Sequence, residues 1–118
     1  MGKDVRMEPN LLKGHLDLIL LSILEGGPMY GLEISKQAQV ETDGYFDLRV
    51  GSLYPALHRL EQGGAVEGEF RPAPRGGAPV KYYWLTEDGQ RLLARKREEF
   101  RTFSTHLQAL GRRYEGRG

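Results

Sequence analysis

The chain contains no cysteine. This absence excludes disulfide bonds, thiolate catalysis, iron–sulfur clusters and cysteine-ligated zinc, and it is typical of a protein in a reducing compartment. Long apolar runs are lacking as well, because the longest uncharged one, residues 18–24, is far shorter than the ~20 residues of a transmembrane helix. Residues 1–6 have no apolar signal region. We therefore expect a cytoplasmic protein with no membrane association.

Residues that would support catalysis are also missing. The three histidines, His15, His58 and His106, lie in three separate segments, and no two of them have the spacing of metal ligands. The glycine pairs at 26–27 and 76–77 do not lie in a phosphate-binding motif between a strand and a helix. We therefore expect no enzyme activity, no catalytic residues, no metal site and no cofactor.

The charge is nearly balanced overall, at +1 for 118 residues, but it is unevenly distributed. Residues 48–60 contain two arginines, one histidine and no acid, and residues 71–81 contain three cations and no acid. Such segments suit one basic face that binds nucleic acid. The alternative is scattered, solvated charge.

Apolar periodicity predicts four helices. Residues 11–25 form the first, with two apolar stripes, one of which suits the chain's own core and the other a second subunit. Shorter helices are expected over about residues 30–40 and 50–62, and a long one over residues 87–110. The long helix carries a narrow coiled-coil-like seam of large apolar residues. The dimer interface predicted from both helices comprises Leu11, Leu18, Leu21, Leu93, Phe100, Phe103, Leu107 and Leu110.

Between the third and the long helix the pattern changes to that of two strands, at residues 65–70 and 80–85, joined by a basic loop. Three helices followed by a hairpin predict a mainly α fold with a small β-hairpin, the winged helix-turn-helix, and a long C-terminal dimerisation helix. The expected division is a flexible N-terminal arm (1–10), the winged helix-turn-helix (11–86), the dimerisation helix (87–110) and a basic flexible tail (111–118).

The third helix and the loop offer the chemistry of a DNA-binding surface. With its leucines turned inward, the helix is expected to point Ser52, Pro55 and Arg59 outward, with Tyr54 on a flank. A major groove admits such a helix, and Arg59 suits guanine readout or a phosphate contact. Arg71 and Arg75 in the loop suit the minor groove or flanking phosphates. For each feature the alternative is a solvated surface.

Three segments are familiar in combination: LLKGHLDLILLSILEGGPMYGLEI, GSLYPALHRLEQGG and VKYYWLTEDG, the last leading into a long helix. Over about residues 11–110 they resemble the PadR family of bacterial transcriptional regulators, in its short form. The resemblance implies a homodimer in which the last helix crosses the first helix of the partner. It also implies repression at operator sites in double-stranded DNA, often relieved by a small aromatic or cationic effector.

The resemblance also assigns residues to DNA contact: Ser52, Tyr54, Pro55, Arg59, Arg75 and Lys81, to which we add Arg71 on charge grounds alone. One departure concerns the effector, because family members that bind flat drugs in a central pore carry a tryptophan on the last helix. Here the single tryptophan, Trp84, precedes that helix. Two alternatives remain open: a winged-helix module that binds another protein, and a dimer that sequesters a small molecule without specific DNA binding.

Overall fold

The computed structural model describes residues 5–115 and confirms a mainly helical winged helix-turn-helix with a long last helix. Five helices and three short strands follow one another along the described chain. Their bounds are α1 Pro9–Gly14, α2 Leu16–Leu24, β1 Met29–Tyr30, α3 Gly31–Glu41, α4 Val50–Gln62, β2 Val66–Arg71, β3 Val80–Leu85 and α5 Glu87–Glu115. The predicted third helix and second strand thus have the expected extents.

The helix predicted over residues 11–25 is in fact two helices. His15 has φ −115° and ψ 11°, outside the helical region, and so separates α1 from α2. α1 also begins earlier than predicted, since Pro9 suits the first turn and the Glu8 carboxylate accepts a hydrogen bond from the Leu11 N–H at 2.9 Å. The proposed arm therefore includes the start of α1, and its residues 1–4 lie outside the described chain.

The sheet has three antiparallel strands in the order β1-β3-β2, rather than the two that the sequence predicted. The additional strand, β1, pairs Met29 with Tyr83 and Tyr30 with Tyr82. Two residues are too few to show a strand periodicity, so the sequence contained no signal for it. β2 and β3 pair along their whole length, from Val66 opposite Leu85 to Arg71 opposite Val80.

α2 lies at the centre of the core and packs against α3, α4, β3 and α5. This position corrects two of the predicted interface residues. Leu21 is fully buried within the single chain, and Leu93 is 2% exposed. A helix enclosed on so many sides buries most of its circumference, so both apolar stripes face the core within α2, whereas Leu11 lies on α1 and is half exposed. Leu18 is partly buried against the same core.

α5 is attached to the winged helix at its first turn and then packs along α2, where Arg97 pairs with Glu25. The Thr86 hydroxyl accepts a hydrogen bond from the Gly89 N–H at 3.0 Å and donates to the Gly64 carbonyl at 2.6 Å. Gly89 lies so close to the Ala65 carbonyl that a Cβ there would overlap it. The helix continues to Glu115, so residues 111–115 of the predicted tail are helical and residues 116–118 lie outside the described chain.

Candidate nucleic-acid interface

α4 is an amphipathic helix whose buried side fixes how it is presented. Its apolar stripe is formed by Leu53, Ala56, Leu57 and Leu60, all of which belong to the core. Pro55, the sixth residue of the helix, lies past the first turn, so it lacks the N–H that would otherwise donate a hydrogen bond to the Gly51 carbonyl. The side of α4 away from the core is exposed. Of the residues assigned to DNA contact on this helix, Pro55 is exposed, Tyr54 and Arg59 are exposed at the flanks, and Ser52 is half-buried.

Tyr54 connects α4 to the preceding helix. A Cβ at Gly31, the first residue of α3, would overlap the phenol oxygen and ring of Tyr54. The glycine therefore lets the tyrosine ring lie directly against the α3 backbone, which sets the distance between the two helices of the helix-turn-helix. Tyr54 is still 41% exposed and keeps a surface for a ligand.

Arg59 lies on the flank of α4 opposite Tyr54 and forms an ion pair with α2. Its Nη2 lies 2.6 Å from Oδ1 of Asp17 in the first turn of α2. It also lines a groove whose wall includes Lys96 and Phe100 of α5. The structure thus places Arg59 beside α2 and α5, which sequence periodicity alone did not indicate.

The wing, defined as β2, β3 and the connecting residues 72–79, is tied to α4 by Lys81. Its Nζ donates a hydrogen bond to Oε1 of Glu61 at 2.9 Å. This bond raises the pKa of Lys81 above its ordinary value, against a smaller opposing effect of desolvation. Two aromatic rings, those of Phe70 and Tyr83, lie within 6 Å of the same ammonium. Lys81 therefore helps to hold the wing on α4.

Arg71 packs across the exposed face of the sheet. Its guanidinium carbon lies 5.3 Å from the centre of the Tyr82 ring and 5.1 Å from that of Trp84. The Glu69 carboxylate accepts a hydrogen bond from Arg71 Nε at 3.4 Å, and that of Glu67 accepts one from Trp84 Nε1 at 3.2 Å. Tyr82 and Trp84 thus share one side of β3, as predicted, while Tyr83 lies in the core on the other side.

Arg75 differs from the other assigned cations. It lies at the exposed tip of the wing, next to Gly76 and Gly77, which both have positive φ. It forms no ion pair with the described side chains, those of residues 5–112. Its charge is therefore available to a phosphate at no cost in broken contacts.

A second surface, formed by the outer half of α5 and by α1, is apolar. Its large apolar residues are about half exposed or more: Leu11 (49%), Phe100 (48%), Phe103 (61%), Leu107 (55%) and Leu110 (64%). Together with α2 and α3, these helices line an open apolar cavity of about 580 Å³, to which Tyr45 and Phe46 also contribute. Exposed apolar patches of this kind mark surfaces that bind another protein or a ligand.

Sequence reasoning missed the carboxylates that hold the cations in place. Asp17 is 42 residues from Arg59 in the chain, and Glu61 is 20 residues from Lys81. Such pairs depend on helix packing, and a single sequence has no local signal for them. The part of the chain that the structure describes has no group of acidic, histidine or cysteine side chains able to hold a metal ion. No helix in that part is long and apolar enough to cross a membrane.

Comparison with known proteins agrees with this geometry. Residues 20–95 match the PadR-like family of transcriptional regulators. An uncharacterised protein of Lysinibacillus sphaericus is 32% identical over 85 residues, which cover 72% of this chain and 77% of that protein.

Solved structures resemble the whole arrangement. A transcriptional regulator from Clostridium thermocellum is 29% identical with a TM-score of 0.76, covering 84% of this chain and 95% of its own. A PadR family transcription regulator from Clostridium difficile R20291 is 33% identical with a TM-score of 0.70, covering 82% and 98%. A PadR-like regulator from Bacillus cereus is 29% identical with a TM-score of 0.71, covering 86% and 95%.

The family match covers more than half of the chain. It agrees with the fold, in which both α4 and the wing have exposed faces. The members of this family are regulators of transcription rather than enzymes. The chain belongs to the PadR-like family of DNA-binding transcriptional regulators.

Proposed function

We propose that this protein is a cytoplasmic repressor that binds an inverted-repeat operator as a homodimer. The observation that carries the proposal is the presence of two exposed surfaces of opposite character on one chain. α4 and the wing offer polar and cationic groups, whereas α1 and the outer half of α5 offer leucine and phenylalanine side chains. DNA suits the first surface and a second copy of the chain suits the second.

On the DNA side, α4 enters the major groove and the wing lies over the neighbouring backbone. Ser52, Tyr54 and Pro55 line the approach of α4, with Arg59 at its edge. The wing contributes Arg71, Arg75 and Lys81. Arg71 and Lys81 are already engaged by Glu69 and Glu61, so Arg75 supplies the cation that is least constrained.

On the dimer side, the outer half of α5 from one subunit packs along α1 of the other. The interface residues are Leu11, Leu18, Phe100, Phe103, Leu107 and Leu110. Burying exposed phenylalanine and leucine side chains stabilises an assembly by roughly 1.5–3 kcal/mol each. The same apolar cavity suits a small aromatic effector at the subunit boundary, where binding would shift the two subunits and release the operator.

Two-fold symmetry determines the operator that such a dimer selects. Both copies of α4 must enter the groove from one side of the duplex, so half-sites lie about one helical turn (roughly 10 bp) or a multiple apart. The test is to sequence the fragments that the purified protein retains from its own genome, at physiological salt. An enriched inverted repeat with this spacing supports the proposal. Retention without sequence preference, or of direct repeats alone, would contradict it.

Repression has its own test, which uses the selected operator placed between a promoter and a reporter. Expression of the protein is expected to lower reporter output, and a reporter that rises instead would assign activation. Titration of the protein–operator complex with small aromatic compounds, followed by the loss of bound DNA, tests the effector.

A further inference from the structure

The exposed face of α4 is not centred on Ser52, Pro55 and Arg59, the residues that the sequence predicted to point outward. With about 100° of rotation per residue, Gly51, Pro55, His58 and Gln62 fall within about 60° of one another. All four are exposed. Their mean direction is opposite that of the buried stripe of α4. We call these four residues the central stripe.

Both flanks of the central stripe are fastened to neighbouring helices. On one flank Tyr54 lies on Gly31 of α3, and on the other Arg59 is bound to Asp17 of α2. By the same rotation, Arg59 lies about 70° from the middle of the stripe. It faces the groove that Lys96 and Phe100 of α5 also line. These contacts place the Arg59 guanidinium beside α2 and α5, at the edge of the exposed face of α4.

The strength of the Asp17–Arg59 pair does not by itself prevent Arg59 from binding DNA. The arginine side chain is 60% exposed, and pairs of this kind are worth only about 0.2–1 kcal/mol. What distinguishes Arg59 from a base-reading residue is its position at the edge of the exposed face, because other residues occupy the centre. The central stripe has no bulky side chain near its N-terminal end, because Gly51 and Pro55 are small, and this lets the helix backbone approach the bases closely.

His58 is the first side chain of the central stripe, counted from the N-terminus, that has a hydrogen-bonding group. Among residues 5–112, whose side chains the structure describes, the His58 side chain has no hydrogen-bond or ion-pair partner. A ring N–H can donate to the N7 or O6 acceptors that purines present in the major groove. Recognition helices of this type contact bases mainly through their N-terminal part, and His58, the ninth of the 13 residues of α4, lies about one turn closer to that part than Gln62.

We propose that His58 is the base-reading residue of α4, selecting a purine acceptor, and that Arg59 is a positioning residue that holds α4 on α2 through Asp17. The assignment rests on the proposed function, since it concerns the same DNA-binding surface. It replaces the guanine contact that the sequence suggested for Arg59. It also predicts that Asp17, which does not contact DNA in this proposal, affects DNA affinity through its ion pair with Arg59.

The experiment measures the affinity of the full-length protein for the selected operator and for each single-base variant of it, at one fixed salt concentration. For His58→Ala we expect about fivefold to tenfold less discrimination at one position per half-site, the loss of one hydrogen bond to a base edge. Discrimination at the other positions is unchanged. A uniform loss across all variants, or an unaltered profile, would overturn the assignment of His58.

Asp17→Asn, Arg59→Gln and the double variant test the positioning role. Each single change is expected to weaken every site by the same factor, and the double variant is expected to bind no worse than either, since both remove one interaction. Asp17→Glu, which keeps the carboxylate, is expected to bind as the unaltered protein does. The matched control is Arg91→Gln, which removes the same charge from an ion pair within α5.

Two results would overturn the positioning role. Tighter DNA binding by Asp17→Asn would mean that Asp17 restrains a DNA-contacting Arg59, and a flattened preference at one position for Arg59→Gln would mean that Arg59 reads a base. Thermal unfolding of each variant verifies that it is folded. If the unaltered protein showed no sequence preference, the proposed function would fail and this assignment with it.

Discussion

The exposed face of α4 and the outer half of α5 differ in what each presents to solvent. Along α4 the exposed residues are small, polar or cationic apart from Val50, and its flanks are held by Gly31 and Asp17. Along the outer half of α5 the exposed side chains are those of Phe100, Phe103, Leu107 and Leu110, the first of which contacts His15. Both surfaces are exposed, but the chemistry of their side chains suits different partners.

The largest effect is expected from removing the apolar face of α5. Phe103→Glu combined with Leu107→Glu should convert the dimer to monomers, because each lost apolar side chain removes roughly 1.5–3 kcal/mol of burial and two charges would be added to the interface. Sedimentation velocity measures the change in mass, and operator affinity should fall with it. A double variant that sedimented like the unaltered protein would exclude this face as the interface.

The next largest effect, on stability, is expected at Gly89, where α5 joins the winged helix. Gly89→Ala would force its Cβ against the Ala65 carbonyl, and overpacking at such a site costs about 1–3 kcal/mol or more. We expect a lower midpoint of urea unfolding. Gly111→Ala, where a Cβ meets nothing within 4 Å, is the matched control in the same helix. Equal midpoints for both variants would contradict the close contact.

A smaller effect is expected at the tip of the wing. Arg75→Ala should reduce the slope of log binding constant against log salt by about 2 in a dimer, at about 0.9 per phosphate contact, equally for all DNA sequences. Binding measured at several salt concentrations checks this. An unchanged slope would remove Arg75 from the phosphate contacts, and a sequence-dependent change would instead indicate base recognition.

The smallest effect concerns how α5 is held against α2. Arg97 forms a bidentate pair with Glu25, with N–O distances of 2.9 and 3.2 Å, and the hydrogen bond lowers the pKa of Glu25 below its ordinary value of 4.5. Because the folded-state pKa is lowered, the stabilisation is present above about pH 4.5 and is lost as the pH falls through the lowered value.

Thermal unfolding of Glu25→Gln, compared with the unaltered protein from pH 7 to pH 3, checks this. The difference in melting temperature should be present at pH 7 and should shrink in acid. A difference that stayed constant with pH would mean that the carboxylate charge has no part in it.

The sequence predicted the regular, strongly periodic elements well and the connections between them poorly. α4 and β3 have the predicted bounds because apolar spacing and β-forming residues define them locally. The break at His15 was not predicted, because a single residue outside the helical region leaves the apolar period of residues 11–24 almost unchanged. β1 was missed because it is a strand only through its pairing with β3.

The same holds for the candidate site, where locally determined features were predicted and long-range contacts were not. Periodicity predicted which side of α4 is exposed, since that follows from which residues must be buried, and this side and the wing form the DNA-binding surface that we propose. It did not identify what each cation contacts, because Asp17 and Glu61 approach Arg59 and Lys81 only after the helices and sheet have packed. It also assigned Leu21 and Leu93 to the interface, although the single chain already buries both.

α5 is attached to the rest of the chain at two places, which leaves its outer part as a lever. Gly89 lies against the Ala65 carbonyl, and farther along Arg97 pairs with Glu25 and the Phe100 ring lies 5.8 Å from that of His15. The part of α5 beyond Phe100, residues 101–115, is about 22 Å long at 1.5 Å per residue. A rotation of about 10° at its base moves the far end by roughly 4 Å, about one base step of the duplex. In the proposed dimer, the angle at which α5 leaves α2 would therefore influence the operator spacing that the two copies of α4 can span, and a ligand that tilted α5 would change that spacing without touching the proposed DNA-binding surface.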